Sequence, residues 1–271
     1  MTDILSERIL DHPTLGVDHA GSGDFLIFLH GIGGNRTNWV EQLGYFAPDY
    51  QTVAWDARGY GLSDDYDGSL DFSMFSHDLL RVLDHFDVEK AHICGLSMGG
   101  LIAQDFYALY PDRVKSLSLV ATFTGFDHLT EEERRRFVDL RRKPLIEEGK
   151  EPRDIAPNVA QILAGPDASD ENLDRLIESM AALHKESYVK TIEAMAHYKR
   201  RLDLSEIVVP CALIFAENDS LATPAIGSDM ARAIPGASYI EFPRTGHLIN
   251  IEKPDRFNET LGAFLSSVRS G

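Results

Sequence analysis

Residues 95–99 read Gly95-Leu96-Ser97-Met98-Gly99, with an apolar run (Ala91, Ile93, Cys94) before them and a helical run after them. A strand that turns at once into a helix leaves its central serine in a strained backbone conformation, with the hydroxyl standing clear of the turn. Strand and helix then approach so closely that the positions two before and two after the serine must be small. Here both are glycine. The pattern demands a strand–turn–helix unit at this point and makes Ser97 a candidate nucleophile.

The flanking chain alternates in the same way. Phe25 to His30, Thr52 to Asp56, Ala91 to Gly95, Val114 to Thr122, Val208 to Ala216 and Ser238 to Phe242 read as short strands. Helical patterns lie between or after them, at residues 75–86, from Gly99 to Tyr110 and near Ile226 to Ile234. A last helix carries Phe257, Leu261, Phe264, Leu265 and Val268. Apolar strands alternating with amphipathic helices predict an α/β fold, a mostly parallel sheet covered on both faces. The alternation breaks between about 126 and 204, where the chain is charged and helix-rich. We therefore expect a core domain of residues 1–125 and 205–271 and a helical insertion of residues 126–204.

The chain has 271 residues, of which 44% are hydrophobic and 25% charged, enough for a large buried core. Its net charge of −17 opposes nucleic-acid binding, which needs a basic footprint. No apolar run approaches the roughly 18 residues of a membrane span. The start, Met1 to Glu7, has no basic segment followed by an apolar one, so a cytoplasmic location is expected. Cys94 and Cys211 fall in or at the edge of apolar strands and read as buried thiols. The Ser63 to Gly68 loop has a superficial calcium-loop look, but its oxygen ligands are out of register, and it reads as a solvated turn. Oligomeric state is open, a homodimer included.

A serine hydroxyl needs a base, and the base needs an orienting acid. The turn resembles that of the α/β-hydrolases, a resemblance that implies the acid and then the histidine following in chain order. Of the ten histidines, only His247 follows the strand at 208–216, in Thr245-Gly246-His247 beyond the last strand. Asp219 is the leading acid, in the loop past the strand ending at Ala216, with Glu217 and Asp127 as rivals. The developing oxyanion needs two N–H donors. Met98 offers one at a helix start, and the glycine-rich loop His30-Gly31-Ile32-Gly33-Gly34-Asn35 offers the other, from Ile32 or next from Gly33. His30 itself reads as a structural residue of that loop.

The ordered set of His-Gly-x-Gly-Gly, the serine turn, a late Asp and a final Gly-His resembles the α/β-hydrolase superfamily from about Phe25 onward. Further landmarks are Asp56-Ala57-Arg58-Gly59-Tyr60-Gly61, Tyr110-Pro111-Asp112-Arg113-Val114, Thr223-Pro224 and Glu252-Lys253-Pro254. Gly95-Leu96-Ser97-Met98-Gly99-Gly100 is similar to the β-ketoadipate enol-lactone hydrolases and to cofactor-free haloperoxidase-like esterases.

The resemblance implies a serine hydrolase with the triad Ser97, Asp219 and His247, an oxyanion hole of Ile32 and Met98, and the insertion as a cap. The substrate is then a small-molecule ester or lactone, and neither metal nor organic cofactor is needed. Hydrolysis of a carbon–carbon bond beside a ketone uses the same triad, and a ligand-sensing protein can retain it, so both stand as alternatives. Gly33, Trp39, Phe123 (or Phe126), Tyr188 and His197 are candidate substrate-binding residues. The basic and aromatic set His184, Tyr188, His197, Tyr198, Lys199, Arg200 and Arg201 is a candidate carboxylate site.

Overall fold

The structure is a computed structural model that describes residues 3–127, 129–199 and 201–270. Eight strands form one sheet in the order β1-β2-β4-β3-β5-β6-β7-β8. They are β1 (Leu5–Ile9), β2 (Leu15–Ala20), β3 (Asp24–Leu29), β4 (Tyr50–Trp55), β5 (Ala91–Leu96), β6 (Val114–Val120), β7 (Cys211–Ala216) and β8 (Ser238–Phe242). β2 pairs antiparallel with both β1 and β4, and every other pairing is parallel. The sequence pattern supplied β3 to β8 and missed the first two. β1 is polar and largely exposed, so it lacks the apolar run that marks a covered strand.

The parallel strands are buried throughout at the centre: every residue of β5 and β7 is buried. β7 starts at Cys211 and not at the expected Val208. Pro210 has no N–H to donate and Val208 is 79% exposed, so the run touches the sheet only through the Pro210 carbonyl, which accepts Leu117 N–H (3.0 Å), before the strand begins. The helices around the core are α1 (Val40–Phe46), α2 (Ser73–His85) and α3 (Met98–Leu109).

Four more helices fill the stretch between β6 and β7: α4 (Glu131–Ile146), α5 (Pro152–Leu163), α6 (Asp170–Ala181) and α7 (Lys185–His197). Capping boxes start α4 (Thr130 with Glu133) and α6 (Ser169 with Asn172), which explains helix formation in so charged a stretch. α5 packs on α6 and α4 on α7. The core is then completed by α8 (Pro224–Ala233), α9 (Ile249–Glu252) and α10 (Pro254–Ser270). Pro224 at the first turn starts α8 slightly earlier than its apolar pattern suggests.

The chain order of the sheet reverses about β3, with β4 on one side and β5 on the other. The loops leaving β3 and β5 therefore open a crevice at the C-terminal edge of the sheet, the usual ligand position in such folds. Both Cys94 and Cys211 are buried free thiols, and burial pushes Cys211 up to about 12.

Candidate active site

Ser97 has φ of 54° and ψ of −115°, a left-handed conformation that side chains with a Cβ rarely adopt. Main-chain bonds hold it there. Its N–H donates to Val120 O (2.8 Å), and its carbonyl accepts from Gly100 N–H (3.0 Å) and from the Thr122 hydroxyl (2.6 Å). The flanking glycines are required by contact distance. A Cβ at Gly95 would lie 2.3 Å from Gly99 O, and one at Gly99 would lie 2.2 Å from Leu29 O. The nucleophile candidate thus sits where β5 and α3 touch backbone to backbone.

Asp219 follows β7, and His247 follows β8 in the loop that leads to α9. His247 Nδ1 and Asp219 Oδ2 are 2.7 Å apart, with both residues buried. The other carboxylate oxygen of Asp219 accepts the N–H groups of Leu221 (2.8 Å) and Ala222 (3.0 Å). With Asp219 ionised, His247 carries its proton on Nδ1 and leaves Nε2 free as a base. The rival acids point elsewhere: Glu217 accepts Arg244 N–H (2.8 Å), and Asp127 is exposed.

The loop after β3 carries Gly31 to Gly34 along the cavity wall. A Cβ at Gly31 would lie 3.4 Å from Ser97 Cβ, so this loop runs directly beside the serine. Met98 is the first residue of α3, where helix N–H groups lack intrahelical acceptors. His30 is structural. Its Nε2 accepts Ala57 N–H (3.1 Å), which leaves Nδ1–H to donate to Gly31 O (2.8 Å). Burial lowers its pKa, in the direction of the neutral ring that both bonds require. Asp56 steadies the far side of the loop by accepting the Arg36 N–H and guanidinium, each at 2.8 Å.

Ser97 and His247 open onto one cavity of about 360 Å³ between the sheet edge and the four inserted helices. Of the candidate substrate-binding residues, Gly33 and Tyr188 line it. Three expectations are corrected. Trp39 is fully buried, stacked on Phe28 (centroids 5.0 Å apart) and packed against Phe257, because its short turn faces the core. Phe123 packs on Phe126 (5.0 Å), which packs on Phe137 (4.7 Å), and neither Phe123 nor Phe126 lines the cavity. His197 is exposed at the end of α7 and bonds the carbonyl of Glu193 (2.8 Å).

The proposed basic set also disperses. His184 pairs with Asp65 (3.0 Å), Arg201 pairs with Asp105 (3.1 Å), Tyr198 packs on Phe72, and Lys199 is exposed. Arg200 lies outside the described residues. The Ser63 to Gly68 turn is an anchor: Asp65 accepts from the Ser187 hydroxyl (2.6 Å), and Tyr66 O accepts from Lys190 (2.9 Å).

Two features of the site were missed in the sequence. Arg141 of α4 lines the cavity, although its neighbours in the basic run do not. Glu252 is buried, and one of its oxygens accepts N–H groups from Gly246 (3.0 Å) and Gly165 (3.1 Å), so it ties the histidine loop to the inserted helices. His247 N–H donates to Leu163 O (2.8 Å) in the same seam. A Cβ at Gly165 would lie 2.3 Å from Gly246 N, which shows how tightly the two backbones press. The desolvation that accompanies this packing raises the Glu252 pKa.

Residues 24–254 match the family model described as alpha/beta hydrolase fold. The chain belongs to that family. It is 28% identical over 243 residues to 3-oxoadipate enol-lactonase 2 of Acinetobacter baylyi, covering 89% of this chain and 88% of the relative. It is 29% identical to the 2-hydroxy-6-oxononadienedioate/2-hydroxy-6-oxononatrienedioate hydrolase of Paraburkholderia phymatum, over 92% of this chain and 89% of the relative. Among solved structures, a thermophilic esterase from Thermogutta terrifontis, with malate bound, superimposes with a TM-score of 0.86 at 25% identity. The match covers 98% of this chain and 99% of the esterase.

Proposed function

We propose that this α/β hydrolase cleaves a carboxylic ester or enol-lactone of a small molecule through an acyl-enzyme on Ser97. The observation that carries the reading is the buried His247–Asp219 bond of 2.7 Å on the same cavity as the strained Ser97 turn. His247 Nε2 takes the Ser97 proton as Oγ attacks the carbonyl. The Ile32 and Met98 N–H groups receive the oxyanion, preorganised for a charge that develops only in the transition state. The protonated imidazole gives its proton to the leaving oxygen, and the same base then activates water against the acyl-enzyme. Asp219 stays ionised and keeps the imidazole in its working tautomer. The four helices at 131–197 act as a cap that excludes bulk water and shapes the acyl pocket.

The resemblance to the Acinetobacter enol-lactonase favours an ester or lactone bond. The Paraburkholderia relative supports a second reading, hydrolysis of a carbon–carbon bond beside a ketone, by the same groups. A panel of p-nitrophenyl esters, enol-lactones and ring-fission diketones separates the two. Turnover of the first two classes, lost by roughly 10⁴-fold or more in Ser97→Ala with an unchanged circular dichroism spectrum, is the expected result. Diketone cleavage alone would move the assignment to the second reading.

A further inference from the structure

We propose that Arg141, with the Tyr188 hydroxyl, binds an anionic group on the acyl side of the substrate, so that the preferred esters carry a carboxylate remote from the scissile bond. The proposal rests on the hydrolase reading for the bond that is cut, and adds which molecules are chosen.

The cavity is walled mainly by aliphatic side chains, among them Leu96, Ile155, Val159, Ile162 and Leu176. Of its described lining residues, Arg141 is the only Lys, Arg, Asp or Glu. No carboxylate among the described residues lies within ion-pairing distance of it. Its neighbour Arg142 has Glu193 at 3.8 Å, and the other buried or half-buried arginines of the core (Arg36, Arg58, Arg81) all face aspartates. A desolvated guanidinium without a counter-ion is costly to hold and is normally paired. Here the burial is strong enough to lower the Arg141 pKa.

The side chain is nevertheless held in place. Its Nη1 donates to Phe137 O (3.1 Å), and its guanidinium carbon lies 3.7 Å from the centroid of the Phe137 ring. Phe137 closes the row that begins at Phe123 on the exit from β6, so the cation is braced against the core. Nε and Nη2 have no partner among the described residues, yet they are not among the sealed, unpartnered polar atoms of the interior. The Tyr188 hydroxyl is in the same position, and Arg141 opposes the rise that burial imposes on the Tyr188 pKa. Fixed N–H donors plus a phenolic donor in an apolar cavity match a carboxylate, which a guanidinium binds through two parallel bonds. A chain of net charge −17 repels anions at long range, so a local unpaired cation is the device that admits one.

The test uses chain-length pairs of p-nitrophenyl esters whose acyl tails end in carboxylate or methyl: the mono-p-nitrophenyl esters of glutarate, adipate and pimelate against the pentanoate, hexanoate and heptanoate. In the wild type, at least one carboxylate member should exceed its neutral partner in kcat/KM by about 10-fold or more. Arg141→Met should erase that preference, lowering kcat/KM of the carboxylate member mainly through KM and about 10-fold more than that of its neutral partner. Arg141→Lys, which keeps the charge and loses the planar fork, should restore part of it. Equal rates within every pair, or an equal loss on both members in Arg141→Met, would overturn the assignment. If the wild type released p-nitrophenol from no ester, the ester-hydrolase reading would fall. The anion site would still be read from calorimetric binding of glutarate, adipate and pimelate, expected to weaken about 10-fold in Arg141→Met and contradicted by equal binding.

Discussion

On the sheet side of the cavity, positions are decided by the main chain. Gly95 and Gly99 lie where β5, α3 and the end of β3 leave no room for a methyl group, and Ser97 is locked by main-chain bonds to Val120 and Gly100. On the helical side the lining is a choice of side chains. Leu140, Arg141, Ile155, Val159, Ile162 and Tyr188 project from three helices whose backbones need none of those residues in particular. Leu140 and Ile162 remain 64% and 55% exposed at the cavity mouth, whereas the sheet-side residues Ser97 and His247 are buried. One wall is built for geometry, and the other for fit. In a hydrolase this divides the labour between how a bond is cut and which molecule is admitted.

Breaking the first wall should cost chemistry or fold. Asp219→Asn keeps the shape but inverts the hydrogen bond to Nδ1 of His247, and kcat should fall roughly 10³–10⁴-fold with thermal stability near the wild-type value. Steady-state kinetics on any cleaved ester measures this, and a loss below tenfold would remove Asp219 from the triad. Gly99→Ala forces a Cβ against a main-chain carbonyl and should lower stability by about 3 kcal/mol or more, read by urea unfolding. The matched change on the helical wall, Ile162→Ala, should move stability by less than about 1 kcal/mol while changing KM across acyl chain lengths. His197→Ala probes a residue that faces solvent beyond both walls. It should leave kinetics within about twofold and stability within about 0.5 kcal/mol.

The same contrast explains what was legible in the chain. A backbone constraint writes itself as residue identity at fixed spacing, so Gly95, Ser97, Gly99 and the glycines after His30 could be read directly. Asp219 over Glu217 was readable from its place beyond β7, and the Arg244 N–H accounts for where Glu217 points instead. Arg141 was not readable. In the run from Arg134 to Arg142 every arginine looks alike, and only helix phase, with Phe137 one turn earlier, turns this one to the cavity. Trp39 misled for the opposite reason. It follows the glycine-rich loop after β3 closely in sequence, but its turn directs the ring into the layer against Phe28 and Phe257. β1 escaped because a polar, exposed edge strand lacks the apolar run of a covered one, and β2 because Asp18 and His19 interrupt the run of a strand that is buried between β1 and β4. Glu252 stood within a recognisable Glu-Lys-Pro landmark, yet its partner Gly165 lies 87 residues away, beyond any local pattern.

The central claim is that one activated serine, Ser97, performs the chemistry with His247 as its base. Reaction with a fluorophosphonate followed by peptide mass spectrometry tests it most directly. A single adduct is expected on Ser97, strongly slowed in His247→Ala and absent in Ser97→Ala. Stoichiometric labelling of another serine, or undiminished labelling of the Ser97→Ala protein, would contradict it.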